Sequence, residues 1–189
     1  MQYTIKQLAE AFRKLSEIGI EGIIIGDTCI NLELGNKQLE GDIDLFVTNM
    51  SPIMESNRII VVAEEKGWST GTTELGTPSI ILRVNDADIT VELYENVLDF
   101  YIPQELIELC LQEYDINGTK IRCLSKECWL VLKAKRGAMQ DLSEIRFALE
   151  LIERNNVKLD KNKIMKAIEI FGEEAQAIYD RLRSAGLKL

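Results

Sequence analysis

The chain holds 189 residues, 46% hydrophobic and 28% charged, with a formal net charge of −9. That length and balance suit one globular domain or a small two-part protein, and they exclude a disordered, collagen-like or membrane-embedded chain. The excess of acid argues against indiscriminate nucleic-acid binding, which runs on phosphate neutralisation.

No histidine is present, which removes Ser-His-Asp and Cys-His machinery and every His-based metal centre. Cys29, Cys110, Cys123 and Cys128 form no CxxC pair, so a structural zinc site is not expected. Cys123 and Cys128 are expected to be buried and reduced. Enzymatic chemistry, if any, must use carboxylates, amines, hydroxyls or a bound metal, and an oxygen-only site favours Mg²⁺ or Mn²⁺. The first residues, Met1-Gln2-Tyr3-Thr4-Ile5, lack the basic start and apolar run of a signal peptide, so a cytoplasmic protein is expected.

Leu8, Phe12, Leu15 and Ile18 recur at intervals of three and four, predicting an amphipathic helix over 5–18 that ends at Gly19. Gly22-Ile23-Ile24-Ile25-Gly26 reads as a short strand buried on both faces. A helix is expected over 28–34, stopped by Gly35-Asn36, and then a strand beginning at Asp42. Another helix is expected over 52–66. Strands over 79–84 and 87–93 flank Asn85-Asp86, a hairpin signal. Pro103 should open a short helix. Strands over 112–116 and 119–123 flank Asn117-Gly118, the best hairpin turn in the chain. Ser125 is the expected N-cap of the first of four helices, over 125–138, 141–154, 161–171 and 173–185. Trp68 and Trp129 are expected in the core. Strands fill the first two-thirds and helices the last third. The division is an α+β domain over 1–124, with a small mixed sheet flanked by helices, and a C-terminal helical segment over 125–189.

The chemistry concentrates in Gly41-Asp42-Ile43-Asp44-Leu45-Phe46-Val47. Side chains alternate along a strand, so Asp42 and Asp44 project from one face while Ile43, Leu45 and Val47 fill the other. Two like charges that close repel unless a cation lies between them. Upstream, Gly26-Asp27-Thr28 joins a strand to a helix, and a glycine there lets backbone approach a ligand. Downstream, Asp88, Thr90 and Glu92 share one strand face, so a third carboxylate can complete a metal cradle.

This order of strand, Gly26 turn, helix, Asp42-Ile43-Asp44 and a third acid on a hairpin strand resembles the nucleotidyltransferases of the DNA polymerase beta superfamily. Residues 26–32, with Lys133, Arg136, Asp141 and Glu144, are similar to the AbiEii-type stand-alone proteins, some of which are toxins. The resemblance spans about 20–150. It implies that Asp42 and Asp44 hold Mg²⁺, that Glu92 or alternatively Asp88 is the third acid, and that Gly26, Asp27 and Thr28 form the phosphate turn. Lys133 and Lys135 or Arg136 would contact the triphosphate. The implied reaction moves a nucleoside monophosphate from an NTP to a hydroxyl on an RNA end such as tRNA, a protein or a small molecule. A toxin-like member would have a cognate antitoxin.

Asp27 departs from the pattern, since the family places Gly or Ser there. An aspartate opposes phosphate unless its side chain caps the helix that follows, the role expected of it. Asp141 is likewise expected to cap a helix. Two other readings stay open on these residues: a nucleotidyltransferase-like fold that only binds, as a nucleotide sensor or interaction module, and a Mg²⁺-dependent phosphohydrolase.

Overall fold

The structure, a computed structural model describing residues 2–189, opens with β1 (Gln2–Thr4) and α1 (Ile5–Glu17). β2 (Gly22–Ile24), α2 (Thr28–Glu33), β3 (Gln38–Glu40), β4 (Ile43–Val47) and α3 (Ser56–Glu65) follow. Next come β5 (Ser69–Thr72), β6 (Pro78–Val84), β7 (Ala87–Tyr94), α4 (Gln104–Cys110), β8 (Leu111–Ile116) and β9 (Thr119–Leu124). The remainder is α5 (Lys126–Arg136), α6 (Met139–Arg154), α7 (Lys161–Glu169), a 3₁₀ turn (Gly172–Glu174) and α8 (Ala175–Ser184). The fold is α+β.

The chain divides into two compact units. One takes the chain up to Tyr101 together with Gln112–Cys123; the other takes Ile102–Leu111 and everything from Leu124 onward. Thus α4, expected with the strands, belongs with the later helices, while the β8–β9 hairpin belongs with the sheet.

In the first unit, seven strands form a mixed sheet in the order β5-β6-β7-β4-β2-β9-β8, and β1 pairs with β3 separately. β4 runs parallel to β7, and β2 parallel to β9. Ile43, Leu45, Val47, Ile89, Val91, Leu93, Ile80, Leu82 and Val84 are all buried on one face of this sheet. Among the helices, α1 packs on β6 and α3 on β5 and β6. Helix α1 is defined by a capping box: the Gln7 amide donates to Thr4 Oγ1 at 3.2 Å, and the Thr4 amide to Gln7 Oε1 at 2.8 Å. Both hairpin turns use left-handed residues as expected, with φ +56° at Asn85 and +54° and +79° at Asn117 and Gly118.

Two expectations need adjustment. Helix α3 begins at Ser56, four residues later than its apolar pattern suggests, because Glu95 holds the preceding segment out of the helix. Glu95 Oε1 accepts from Ser51 Oγ at 2.9 Å and from the Ile53 amide at 3.1 Å. Strands β1, β3 and β5 are not legible beforehand: the first two have three residues each, and β5 (Ser-Thr-Gly-Thr) has no apolar alternation to betray it.

In the second unit, α5 is the central helix, with α4, α6, α7 and α8 packed around it and Trp129 buried. Ser125 occupies the N-cap position as expected, yet its hydroxyl makes no capping bond and, among the described residues, has no hydrogen-bond partner. Cys128 also departs from expectation. It is disulfide-bonded to Cys110, with Cα atoms 6.1 Å apart, while Cys29 and Cys123 are buried thiols outside that bond, Cys29 Sγ donating to the Ile24 carbonyl at 3.0 Å. The spacing of the cysteines hid this, because only the return of α5 onto α4 brings the two together. Closing a loop of this size contributes about 3 kcal/mol. Cys128→Ala, or reduction of the native protein, is therefore expected to lower unfolding free energy by about that amount in a denaturant titration. An unchanged midpoint would contradict the pairing.

Candidate active site

Register places the acids. Asp44 on β4 is the direct partner of Glu92 on β7, and because register partners share the pleat both side chains leave the same face of the sheet. Asp42 immediately precedes β4, exposed, with Gly41 (φ +85°) turning the chain into it. Asp44 and Glu92 are half-buried. On its other side Glu92 pairs with Ser79 of β6. The row across the sheet therefore runs Asp44, Glu92, Ser79.

Gly26 lies against Asp44. A Cβ built on Gly26 would overlap Asp44 Oδ2 and stand 2.7 Å from Asp44 Cγ. The glycine is required here by close approach: no side chain fits between this turn and the carboxylate.

Asp27 does not play the role expected of it. Its backbone is helical (φ −62°, ψ −22°) and its side chain makes no capping bond. Side-chain capping needs an extended residue before the helix, whereas Asp27 is already wound into it. Its carbonyl accepts from the Asn31 amide and from Asn31 Nδ2, both at 3.2 Å. Thr28 is buried, with its hydroxyl 3.3 Å from Tyr3 Oη.

Asp88 is on the same strand face as Glu92 but about 13 Å away along the strand, four residues at ~3.3 Å each. It pairs with Arg83 at 2.9 Å across the β6–β7 hairpin end, both side chains at least half exposed. The structure thus brings Glu92, and not Asp88, beside Asp44. Lys133 and Arg136 lie in the helical unit with carboxylate partners of their own. Lys133 Nζ is 2.5 Å from Glu144 Oε2 and 5.2 Å from the Trp129 ring centroid. Arg136 forks onto Asp141, its Nε 2.9 Å from Oδ2. Asp141 also accepts the Ala138 amide at 2.9 Å, capping α6 as expected.

Two tyrosines join the site unannounced. Tyr94 donates its hydroxyl to Glu92 Oε2. The signal was present, since Tyr94 continues the alternation of Thr90 and Glu92. Tyr3 had no such signal, because only the β1–β3 pairing carries it toward residues some forty positions away. Burial raises the Tyr3 phenol to about 12, against the lowering effect of its hydrogen bond to Thr28 and with further raising from Asp42 and Asp44. An open polar hollow of about 550 Å³ adjoins Tyr3, bounded by Thr4, Gln7, Gln38 and Asp86, and none of the three carboxylates lines it.

The Tyr3 shift has a measurable consequence. The unfolded chain releases the tyrosine proton near pH 10 while the folded chain keeps it to about 12, so stability is full below pH 10 and falls between 10 and 12. Tyr3→Phe should flatten that slope, removing about 2 kcal/mol of the decline seen in denaturation between about pH 9 and about pH 11.5. An identical slope in both proteins would place the phenol elsewhere.

Among the described residues, no three acidic or cysteine side chains converge tightly enough to hold a metal ion as they stand. In kind, the donors suit a hard divalent cation: carboxylate oxygens only, two of them register neighbours, with the Gly26 turn shaped around one. No described helix is long and apolar enough to cross a membrane.

Among solved structures, the chain is similar to an antigenic nucleotidyltransferase-like protein from Paracoccidioides brasiliensis (16% identity, TM-score 0.56, covering 100% of this chain and 97% of that one). It is also similar to the lincosamide antibiotic adenylyltransferase LnuA in its lincomycin-bound form (15% identity, TM-score 0.54, 84% of this chain and 100% of that one). At these identities the likeness is one of fold. No curated protein matches it significantly in sequence. The family model described as "Nucleotidyl transferase of unknown function (DUF2204)" matches residues 4–184. The chain belongs to this nucleotidyl transferase family.

Proposed function

We propose that the protein transfers a nucleoside monophosphate from an NTP to a hydroxyl acceptor at Asp42, Asp44 and Glu92, with Mg²⁺ or Mn²⁺ held by these three carboxylates. The observation that carries this reading is the pairing of Asp44 with Glu92 on adjacent parallel strands, with Gly26 leaving room for the Asp44 carboxylate. When bound, the cation would offset triphosphate charge and the charge that develops during transfer. Glu92 accepts the proton of the attacking hydroxyl, and the Tyr94 hydroxyl, hydrogen-bonded to Oε2, orients the carboxylate for it. The acceptor oxygen bonds to the α-phosphorus, the bond to the bridging oxygen breaks, and pyrophosphate leaves. The Gly26–Asp27–Thr28 turn, next to Asp44, takes the phosphate end of the nucleotide. LnuA, similar in fold, is an adenylyltransferase, which supports ATP as the first nucleotide to test.

The test is incubation with each α-labelled NTP, Mg²⁺ and pooled RNA, protein and small-molecule alcohols, reading pyrophosphate release and label transfer. Transfer abolished by Asp42→Ala and Asp44→Ala supports the reading. Saturable NTP binding without pyrophosphate release from any acceptor would make the protein a sensor instead. Release of phosphate or pyrophosphate without label transfer would make it a hydrolase.

A further inference from the structure

The face that carries Asp44 and Glu92 becomes aromatic one step along the same two strands. Phe46 pairs in register with Tyr94, directly after the two acids in strand order. The Phe100 ring centroid is 5.4 Å from that of Tyr94 and 6.5 Å from that of Phe46. A tight reversal puts Phe100 there: the backbones of Val97 and Phe100 exchange both hydrogen bonds at 2.9 Å. Within that reversal Leu98 adopts φ +52°, although a left-handed leucine costs on the order of 1–3 kcal/mol. Its side chain is 84% exposed, so no packing offsets the strain. Tyr101, which follows Phe100, is 54% exposed. A strained turn that holds leucine in water next to an aromatic cluster and a pair of carboxylates points to a ligand.

We infer that residues 96–101 together with Tyr94 form the acceptor subsite, and that the acceptor is a small alcohol bearing an aromatic or apolar group. This inference rests on the transfer reading above. Sheet order supports acceptor over nucleobase. The Gly26 turn, assigned to phosphate, follows β2 on one side of β4, whereas β7 lies on the other side. The rings are continuous with Glu92 through the Tyr94 hydroxyl. A hydroxyl delivered to Glu92 from that side brings its carbon frame over Tyr94 and Phe100, with Leu98 closing on it. Aromatic and aliphatic contact of that kind is what an apolar group gains by leaving water.

Two readouts separate this inference from the reading beneath it. The first is binding of 2-phenylethanol, with glycerol as the apolar-free comparison, followed by ligand-observed NMR in wild type, Leu98→Ala and Leu98→Asp. The second is pyrophosphate release from ATP and Mg²⁺ with either alcohol. Leu98 is exposed, so its replacement leaves the core intact, and a thermal-unfolding check on each variant confirms that. The expected result is 2-phenylethanol binding that weakens about 10-fold in Leu98→Ala, with the KM for ATP unchanged within about twofold. Binding of 2-phenylethanol lost in the variants, but with no pyrophosphate release in wild type from either alcohol or from the pooled acceptors above, upholds the subsite and overturns the transfer reading. Transfer that shows no preference for 2-phenylethanol, a preference untouched by Leu98 variants, a change in the KM for ATP alone, or no binding of 2-phenylethanol at all would each overturn the subsite.

Discussion

Asp44→Asn is expected to slow nucleotidyl transfer by about 10³-fold or more, a loss of near 4 kcal/mol of barrier stabilisation. The substitution is nearly isosteric and removes one charge from a row in which Asp44 faces Glu92 across adjacent strands. Folding should not suffer, because the charge removed is opposed by like charges at Asp42 and Glu92. Thermal stability without divalent cation should therefore hold or rise, while the stabilisation that Mg²⁺ gives the wild type should vanish. Asp88→Asn serves as the comparison. Asp88 sits at the hairpin end in an exposed pair with Arg83, so its loss should change the rate less than about twofold and stability by under ~1 kcal/mol. Steady-state kinetics and thermal unfolding with and without Mg²⁺ check both variants. Equal losses for Asp44 and Asp88 would mean that the register pairing does not define the site.

Gly26→Ala is the second large effect. The added methyl would collide with the Asp44 carboxylate, so either the turn or the carboxylate must move. Overpacking of this kind costs about 1–3 kcal/mol of stability, and the displaced carboxylate should cost transfer at least about 10²-fold, since misplacement by an ångström is expensive in catalysis. Gly22→Ala separates these two effects. A Cβ there would stand 2.5 Å from the Phe46 carbonyl oxygen and 2.8 Å from Leu45 Cγ, both part of the sheet and neither a candidate ligand. It should lose stability to a similar degree, while the folded fraction keeps its specific activity. If Gly26→Ala loses only stability, the glycine serves packing alone.

The parts of this protein that were legible in its sequence are those in which neighbouring residues carry the signal. The alternation of Asp42, Ile43 and Asp44, the apolar run at Ile23 and Ile24, and the Asn117-Gly118 turn each specify geometry within a few positions, and the α+β division follows from them. What pairing and packing decide was not legible. The choice between Glu92 and Asp88 is invisible along one strand, because both share a face; only the β4–β7 register separates them. Tyr3 reaches the vicinity of Asp42 and Asp44 through β1 and β3, each too short to announce itself. The Cys110–Cys128 bond depends on how α5 returns onto α4. Asp27 misled for a different reason. Its residue type favours capping, but its backbone had already entered the helix, and backbone conformation decides whether a side chain can cap.

The most direct test is a crystal structure of the protein soaked with Mn²⁺ and a non-hydrolysable ATP analogue, with the metal located by anomalous scattering. The prediction is a peak within about 2.2 Å of oxygens from Asp42, Asp44 and Glu92, with the analogue's phosphates on the Gly26 side of it. A peak at Asp88, or a nucleotide bound with no metal at these three carboxylates, would contradict the account.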